Sequence, residues 1–283
     1  MRRPLLLLLA VLGLVAGAVP ATATPSHAPD RVRPLAQAHA HNDYEHDRPL
    51  HDALGEGFTS VEADIYLVDG ELLVAHDPED LDPARTLTAL YLEPLRERVL
   101  DNHGGVYRGF RDFQLLIDIK TEGESTYAAL DALLREPRYA FLWTTYRYGH
   151  VRTRAVTAVV SGNRPRATME AQRTRVAFYD GRIANQSDLG PSSDARLTPL
   201  VSDNWTNLFT WRGVGAMPAA EKAELREIIR TAHRAGQRVR FWATPDVAGP
   251  ERDAIWRELL AADVDHINTD DLKGLADFLR DVR

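Results

Sequence analysis

Three short stretches place two histidines around a pair of carboxylates: His41-Asn42-Asp43-Tyr44, Val61-Glu62-Ala63-Asp64-Ile65 and Ala75-His76-Asp77. Side chains at i and i+2 of a strand leave the same face. Glu62 and Asp64 therefore point the same way, as a pair of hard oxygen ligands suited to a divalent cation. A histidine on either side of such a cation, His41 and His76, supplies a base and an acid. This is the equipment needed to break a phosphodiester.

A solvated strand also alternates acidic and apolar residues, but here Val61, Ala63 and Ile65 demand an apolar cover. If they face surrounding helices, Glu62 and Asp64 are directed into the interior of a barrel. Two carboxylates in that low-dielectric space are costly unless a cation compensates them. The run Leu115-Leu116-Ile117-Asp118-Ile119-Lys120 repeats the logic. Asp118 adds a third carboxylate for an octahedral Mg²⁺ or a looser Ca²⁺ site, and Lys120 is placed to meet a phosphate oxygen. His39 shares the facing of His41, so the H-x-H pair admits a second reading as a metal site. The middle strands, however, carry no later histidines to complete it. His46, His51, His103, His150 and His233 lie in no comparable setting and read as ordinary polar residues. Trp242 and Asn268 fall in the last two predicted strands, where a tryptophan near the mouth either packs on substrate or fills core. Asn204-Trp205 poses the same choice.

The elements that must position these residues alternate between strand-like and helical patterns from about residue 36 to the end. Eight strands are predicted: Gln37–His41, Ser60–Tyr66, Gln114–Lys120, Ala155–Ser161, Arg175–Tyr179, Leu197–Asp203, Arg238–Ala243 and Asp265–Thr269. Leu72–His76 reads as an irregular extension of the second. Helical periodicity marks Thr126–Arg135, Ala220–Ala235, Glu251–Ala262 and Leu272–Val282, and Gly236 stands where a helix C-terminus favours glycine. Eight such units predict a single α/β domain, a closed (β/α)₈ TIM barrel over residues 36–283. No glycine-rich phosphate loop follows the first strand, which disfavours an open doubly wound sheet. Ala140–Gly149 and Asp180–Ser193 read as long loops and candidates for substrate contact.

The N-terminus reads as an address. Arg2 and Arg3 precede the apolar run Leu5–Val19, and Ala21-Thr22-Ala23 offers small residues for cleavage, so residues 1–23 are expected to be a signal peptide and the product secreted. Residues 24–35, with Pro25, Pro29 and Pro34, read as a flexible leader. The chain has 283 residues, a formal net charge of −7 and no cysteine. Disulfides and thiolate metal sites are thereby excluded. The acidic balance argues against nucleic acid as a partner and permits only transient contact with a membrane surface. With no oligomer signal, a monomer is expected.

With these residues in place, the chain resembles the phospholipase C-like and glycerophosphodiester phosphodiesterase superfamily, and within it the subgroup called altered inheritance of mitochondria protein 6-like. His41-Asn42-Asp43-Tyr44 is similar to the H-N-x-Y element of phosphoinositide phospholipase C barrels, which implies that His41 acts on the phosphate and Asn42 binds metal. Glu62-Ala63-Asp64 looks like the E-x-D metal pair shared by glycerophosphodiester phosphodiesterases and sphingomyelinase D-type toxins, Ala75-His76-Asp77 like the H-D of the second catalytic histidine, and Asp118-Ile119-Lys120 like the D-x-K of those toxin and diesterase branches. Trp242 and Asn268 fall where related barrels carry substrate-side residues. Asn42 stands where glycerophosphodiesterases carry a basic residue, and no cysteine is present for the stapled loop of the toxins.

The expectation is a phosphoric diester hydrolase acting on a glycerophosphodiester or phospholipid-type substrate. One Mg²⁺ or Ca²⁺ rests on Glu62, Asp64, Asp118 and Asn42, with His41 as base, His76 as acid and Lys120, Trp242 and Asn268 toward substrate. The rivals are a metal-dependent amide or ester hydrolase using His39 and His41 as ligands, and a barrel that binds a phosphorylated ligand without turnover.

Overall fold

The computed structural model describes residues 32–185 and 187–282; the expected signal peptide and most of the leader lie outside them. Eight parallel strands close on themselves: β1 (Leu35–Ala40), β2 (Phe58–Val68), β4 (Phe113–Ile119), β7 (Val156–Gly162), β9 (Ala177–Arg182), β10 (Leu200–Asn204), β11 (Arg238–Trp242) and β12 (His266–Thr269). β1 pairs with both β2 and β12, which completes the barrel. Leu35, assigned to the leader by sequence, is buried and opens β1.

Alternation sorts the side chains into two environments. Val61, Ala63, Ile65, Leu115, Ile117 and Val160 turn outward and are fully buried beneath the helices, in the main core. That packing drives the fold, and it fixes the register that sends Glu62, Asp64 and Asp118 inward. The barrel interior is itself divided. Leu116, Val159, Phe178 and Leu200 form a separate apolar cluster on one side. His39, Ser60, Glu62, Arg240, His266 and Asn268 form a buried polar side contributed by β1, β2, β11 and β12.

The helices are α1 (His51–Glu56), α2 (Glu93–Asp101), α3 (Gly123–Leu134), α4 (Arg166–Ala171), α5 (Trp205–Leu208), α6 (Ala219–Arg234), α7 (Pro250–Ala261) and α8 (Leu272–Asp281). In α6, Leu225, Ile228, Ile229 and Ala232 form one buried stripe. Gly236 lies just beyond it with φ 77°, a conformation that favours glycine.

Three expectations are corrected. The stretch after the second strand is regular: β3 (Glu71–Val74) pairs antiparallel with β2. Asp69 and Gly70, with φ 51° and 90°, make the tight turn between them. Ala140–Gly149 does not join the active face. It lies between α3 and β7, so chain direction puts it at the opposite mouth. Its Thr145–Arg147 segment (β5) pairs there with His150–Arg152 (β6) and Thr174–Arg175 (β8). Finally, the predicted strand Arg175–Tyr179 is broken at Val176, and β9 continues to Arg182, which carries Asp180 and Arg182 into the barrel. Among the described residues no helix is long and apolar enough to cross a membrane.

Candidate active site

At the C-terminal mouth of the barrel a cavity of about 210 Å³ is lined by His41, Asn42, Glu62, Asp64, His76, Asp118, Lys120, Ser161, Asp180, Arg182, Ser202, Arg240 and Trp242. The strand alternation explains most of this list. Asp64 and Asp118 face each other in register on β2 and β4, and Ser161 continues that layer on β7.

His41 follows the last residue of β1, and its Nδ1 lies 2.9 Å from Asp270 Oδ1. Asp270 is itself held by Asp246, whose Oδ2 accepts the Asp270 backbone N–H and whose Oδ1 accepts the Thr269 hydroxyl, both at 2.6 Å. Pairing Nδ1–H with a carboxylate leaves Nε2 of His41 as the free ring nitrogen. Burial disfavours the charged form of His41, but the Asp270 hydrogen bond and the charge of Glu62 outweigh it and raise the pKa.

Asn42 adopts a left-handed conformation, φ 46°, that asparagine tolerates better than most residues. The turn is pinned by buried Asp43, whose Oδ2 accepts the Leu50 N–H at 2.6 Å and the Tyr91 hydroxyl at 2.9 Å. Burial, working against those hydrogen bonds, pushes the Asp43 carboxyl up to about 7. Buried Tyr44 is thereby packed behind the cavity wall. Its hydroxyl lies 2.6 Å from Asp64 Oδ2, 2.9 Å from Asn42 Oδ1 and 3.0 Å from His76 Nδ1. A phenol has one proton, and the carboxylate has the stronger claim on it. His76 then donates Nδ1–H to Tyr44, and Asn42 Oδ1 is left to another partner. The backbone carbonyl of His76 accepts the Tyr66 hydroxyl at 2.8 Å, which anchors the segment after β3.

Oxygen atoms of Glu62, Asp64 and Asp118 lie within 4.8 Å of one another. Two observations test whether a hard divalent cation fits them. Asp64 Oδ1 is buried and meets no hydrogen-bond donor among the described residues. At Gly162 (φ 68°) a Cβ would come within 2.5 Å of Asp118 Oδ1, so glycine keeps that carboxylate clear. With Asn42 Oδ1 beside them the donor set is all oxygen, and it suits Mg²⁺ or Ca²⁺. Without a cation the charges strain against one another. Burial and the neighbouring Glu62 raise the pKa of Asp64. Lys120 Nζ compensates in part, 2.9 Å from Asp64 Oδ2 and 3.1 Å from Asp118 Oδ1. Burial opposes the Lys120 charge, but the two carboxylates prevail and raise its pKa.

Sequence reasoning overlooked several lining residues. Arg240 is buried and reaches Glu62 Oε2 at 2.8 Å. Although burial opposes it, this guanidinium and the His39 hydrogen bond lower the Glu62 pKa. Arg182 donates to buried Asp180 at 2.6 Å and to Ser202 at 3.2 Å. The signal for Arg240 was present, since Arg238, Arg240 and Trp242 share one face of their strand. Asp180 and Arg182 were missed because the strand was ended at Tyr179.

Trp242 lines the cavity, partly exposed. Asn268 is placed differently. It is buried below the cavity and its Oδ1 accepts from Arg240 Nε at 2.9 Å, so its contact is with Arg240. His39 is fully buried, its nitrogens directed at Ser60 and Glu62, and does not converge with His41 on a common ligand position. Trp205 is core, and Asn204 caps α5 by accepting the Thr206 N–H at 2.8 Å. His233 pairs with Asp265 at 2.8 Å.

The fold and site define a closed (β/α)₈ barrel whose C-terminal mouth gathers carboxylates, two histidines and a lysine. A family model described as the AIM6-like phosphodiesterase domain matches residues 29–180, and one described as the glycerophosphoryl diester phosphodiesterase family matches residues 238–273. The chain is 31% identical to altered inheritance of mitochondria protein 6 of Eremothecium gossypii, over 86% of this chain and 69% of that protein. It is 27% identical to the homologue from Arthroderma benhamiae, over 83% and 81%. Among solved structures, a glycerophosphoryl diester phosphodiesterase from Parabacteroides distasonis aligns with TM-score 0.52 at 13% identity, over 88% of this chain and 87% of that one. A putative glycerophosphoryl diester phosphodiesterase from Silicibacter pomeroyi aligns with TM-score 0.50 at 14% identity, over 90% and 95%. These structures share the fold. The chain belongs to the AIM6-like phosphodiesterase domain family.

Proposed function

We propose that this protein hydrolyses a phosphodiester of the glycerophosphodiester or phospholipid type by general acid–base catalysis at the C-terminal mouth of the barrel. The observation that carries the reading is the convergence of two imidazoles on one cavity with three carboxylates and a lysine. The charge of the cavity supports a diester. Glu62, Asp64, Asp118 and Asp180 exceed Lys120, Arg182 and Arg240 by one charge. A divalent cation turns that into one positive charge in excess, the complement of a phosphodiester monoanion.

Glu62, Asp64, Asp118 and Asn42 would hold the cation, which supplies Lewis-acid stabilisation of charge on the phosphoryl oxygens. His41, oriented by Asp270, takes the proton of the attacking hydroxyl through Nε2. His76, whose Nδ1 is fixed by Tyr44, gives a proton to the departing alkoxide through Nε2. Lys120 and Arg182 face the phosphoryl group as it gains charge, and Trp242 offers an apolar wall to the remainder of the substrate. The apolar run Leu5–Val19 after Arg2-Arg3 supports a secreted enzyme, which we propose acts as a monomer.

Phosphorus NMR on the purified protein tests the reading. Glycerophosphodiesters, lysophospholipids and phosphatidylinositol are supplied with Mg²⁺ or Ca²⁺, then with EDTA. The expected result is a monoester or cyclic-phosphate resonance that disappears with EDTA and falls by about 10²–10⁴-fold in His41→Ala and in His76→Ala. Bound metal without turnover of any diester would move the assignment to amide or ester hydrolysis or to ligand capture.

A further inference from the structure

Directly beneath Glu62, one layer of the barrel holds three fully or nearly fully buried polar residues on neighbouring strands. His39 of β1 is in register with Ser60 of β2, and Ser60 with Gln114 of β4. Gln114 Nε2 donates to Ser60 Oγ at 3.0 Å, and Ser60 Oγ lies 2.7 Å from His39 Nδ1. An amide N–H₂ is only a donor. With the Gln114 amide so oriented, Ser60 accepts from it, and because Ser60 Oγ meets no other acceptor among the described residues its own proton goes to His39 Nδ1. That nitrogen must then be the bare one, and the imidazole proton resides on Nε2. Nε2 faces Glu62 Oε2 at 3.4 Å, the oxygen that Arg240 also holds at 2.8 Å.

The chain of donors thus has a direction, from Gln114 through Ser60 and His39 to Glu62 at the cavity. An apolar layer would fill this space at lower desolvation cost, as Leu116, Val159, Phe178 and Leu200 do on the other side. We infer that His39 is a positioning residue, held in its Nε2–H tautomer by Gln114 and Ser60, which orients Glu62 by occupying Oε2 and leaving Oε1 for the cation. The inference rests on the metal site proposed above. It assigns a role to His39, whose facing alone had suggested a ligand, and it gives Ser60 and Gln114 a share in metal affinity although neither lines the cavity.

The test reads metal binding, with no turnover required. Mg²⁺ and Ca²⁺ are titrated by calorimetry into the full chain and into Ser60→Ala, His39→Leu and His39→Gln, with circular dichroism to confirm the fold. Loss of an outer-sphere partner weakens metal affinity by about 10–100-fold, and that loss is expected for Ser60→Ala and His39→Leu. His39→Gln, whose amide N–H can still donate toward Glu62, should recover part of it. Folded Ser60→Ala and His39→Leu proteins that bind within about twofold of the wild type, well short of that loss, would overturn the inference. Should His39→Leu not fold, Ser60→Ala decides alone. A wild-type protein that takes up neither cation would refute the metal site itself, and a wild type that binds while the variants match it refutes only the relay.

Discussion

Replacing Arg240 with methionine should destabilise the protein strongly, and the structure sets the size of the effect. The Arg240 guanidinium is 4% exposed and its partner Glu62 is 8% exposed, with 2.8 Å between Nη2 and Oε2. Arg240 also donates to Asn268. Methionine fills comparable space but removes the charge that keeps Glu62 ionised. Breaking a buried ion pair from one side costs about 3–5 kcal/mol, because the remaining charge is stranded. For a domain of this size that corresponds to a fall in melting temperature on the order of 10 °C. Urea and thermal denaturation of the metal-free protein measure it without reference to catalysis. The discriminating comparison is the double variant Glu62→Gln/Arg240→Met. If the cost arises from a stranded carboxylate, neutralising Glu62 restores part of the loss, with a coupling of about 1–3 kcal/mol. A single variant that melts within about 2 °C of the wild type, equivalent to no more than ~1 kcal/mol, would refute the reasoning. Strict additivity of the two substitutions would do the same.

Further outcomes follow from the same geometry. Burial and the nearby Arg240 push His39 down to about 4, and burial with Arg238 keeps His266 well below the ordinary histidine value. Both are neutral in the folded protein, whereas the unfolded chain takes up their protons below about pH 6.5. Stability should therefore fall as pH drops through that value, by roughly 1.4 kcal/mol per pH unit for each group, with the His39 share reaching about 3 kcal/mol near pH 4. Urea midpoints at pH 7, 5.5 and 4.5 check the slope, and a flat profile contradicts it. Saturating Mg²⁺ or Ca²⁺ should raise the melting temperature, by about 2.7 kcal/mol of stabilisation at a hundredfold excess over Kd. Asp64→Asn should abolish that increment, and an unchanged increment in this variant would exclude Asp64 as a ligand. Tyr44→Phe removes the hydroxyl shared by Asp64 and His76 and should lower kcat by about 10–100-fold with the fold intact, the range for a lost outer-sphere contact. Full activity in that variant would show that His76 needs no such orientation.

Much of the architecture is legible in the chain because it is dictated locally. The alternation of Val61, Ala63 and Ile65 with Glu62 and Asp64 states which face is dry and which is charged, and β2 obeys it. The stripe of α6 and Gly236 after it are equally explicit. Asn42, Glu62, Asp64 and Asp118 can be paired with His41 and His76 because a few motifs carry them all. The residues that escaped notice belong to no motif: Arg240, Arg182 and Ser161 come from strands far apart in sequence, and Asp270, just past the last strand, reaches the site through His41; only closure of the barrel brings them together.

Residue types and short-range spacing by themselves determined the eight strands of the barrel, the inward carboxylates and the two candidate histidines, since a period of two or of 3.6 is written into neighbouring residues. Tertiary structure alone decided the rest. It separated His39 from His41, one buried against Ser60 and Glu62, the other at the mouth against Asp270. It put Asn268 beneath Arg240 and moved the 140–149 segment to the opposite mouth. Such distinctions depend on how far along the barrel axis a side chain sits and on what the facing strands present at that height. Neither quantity is encoded in any one segment, because both arise only when all eight strands share one closed register.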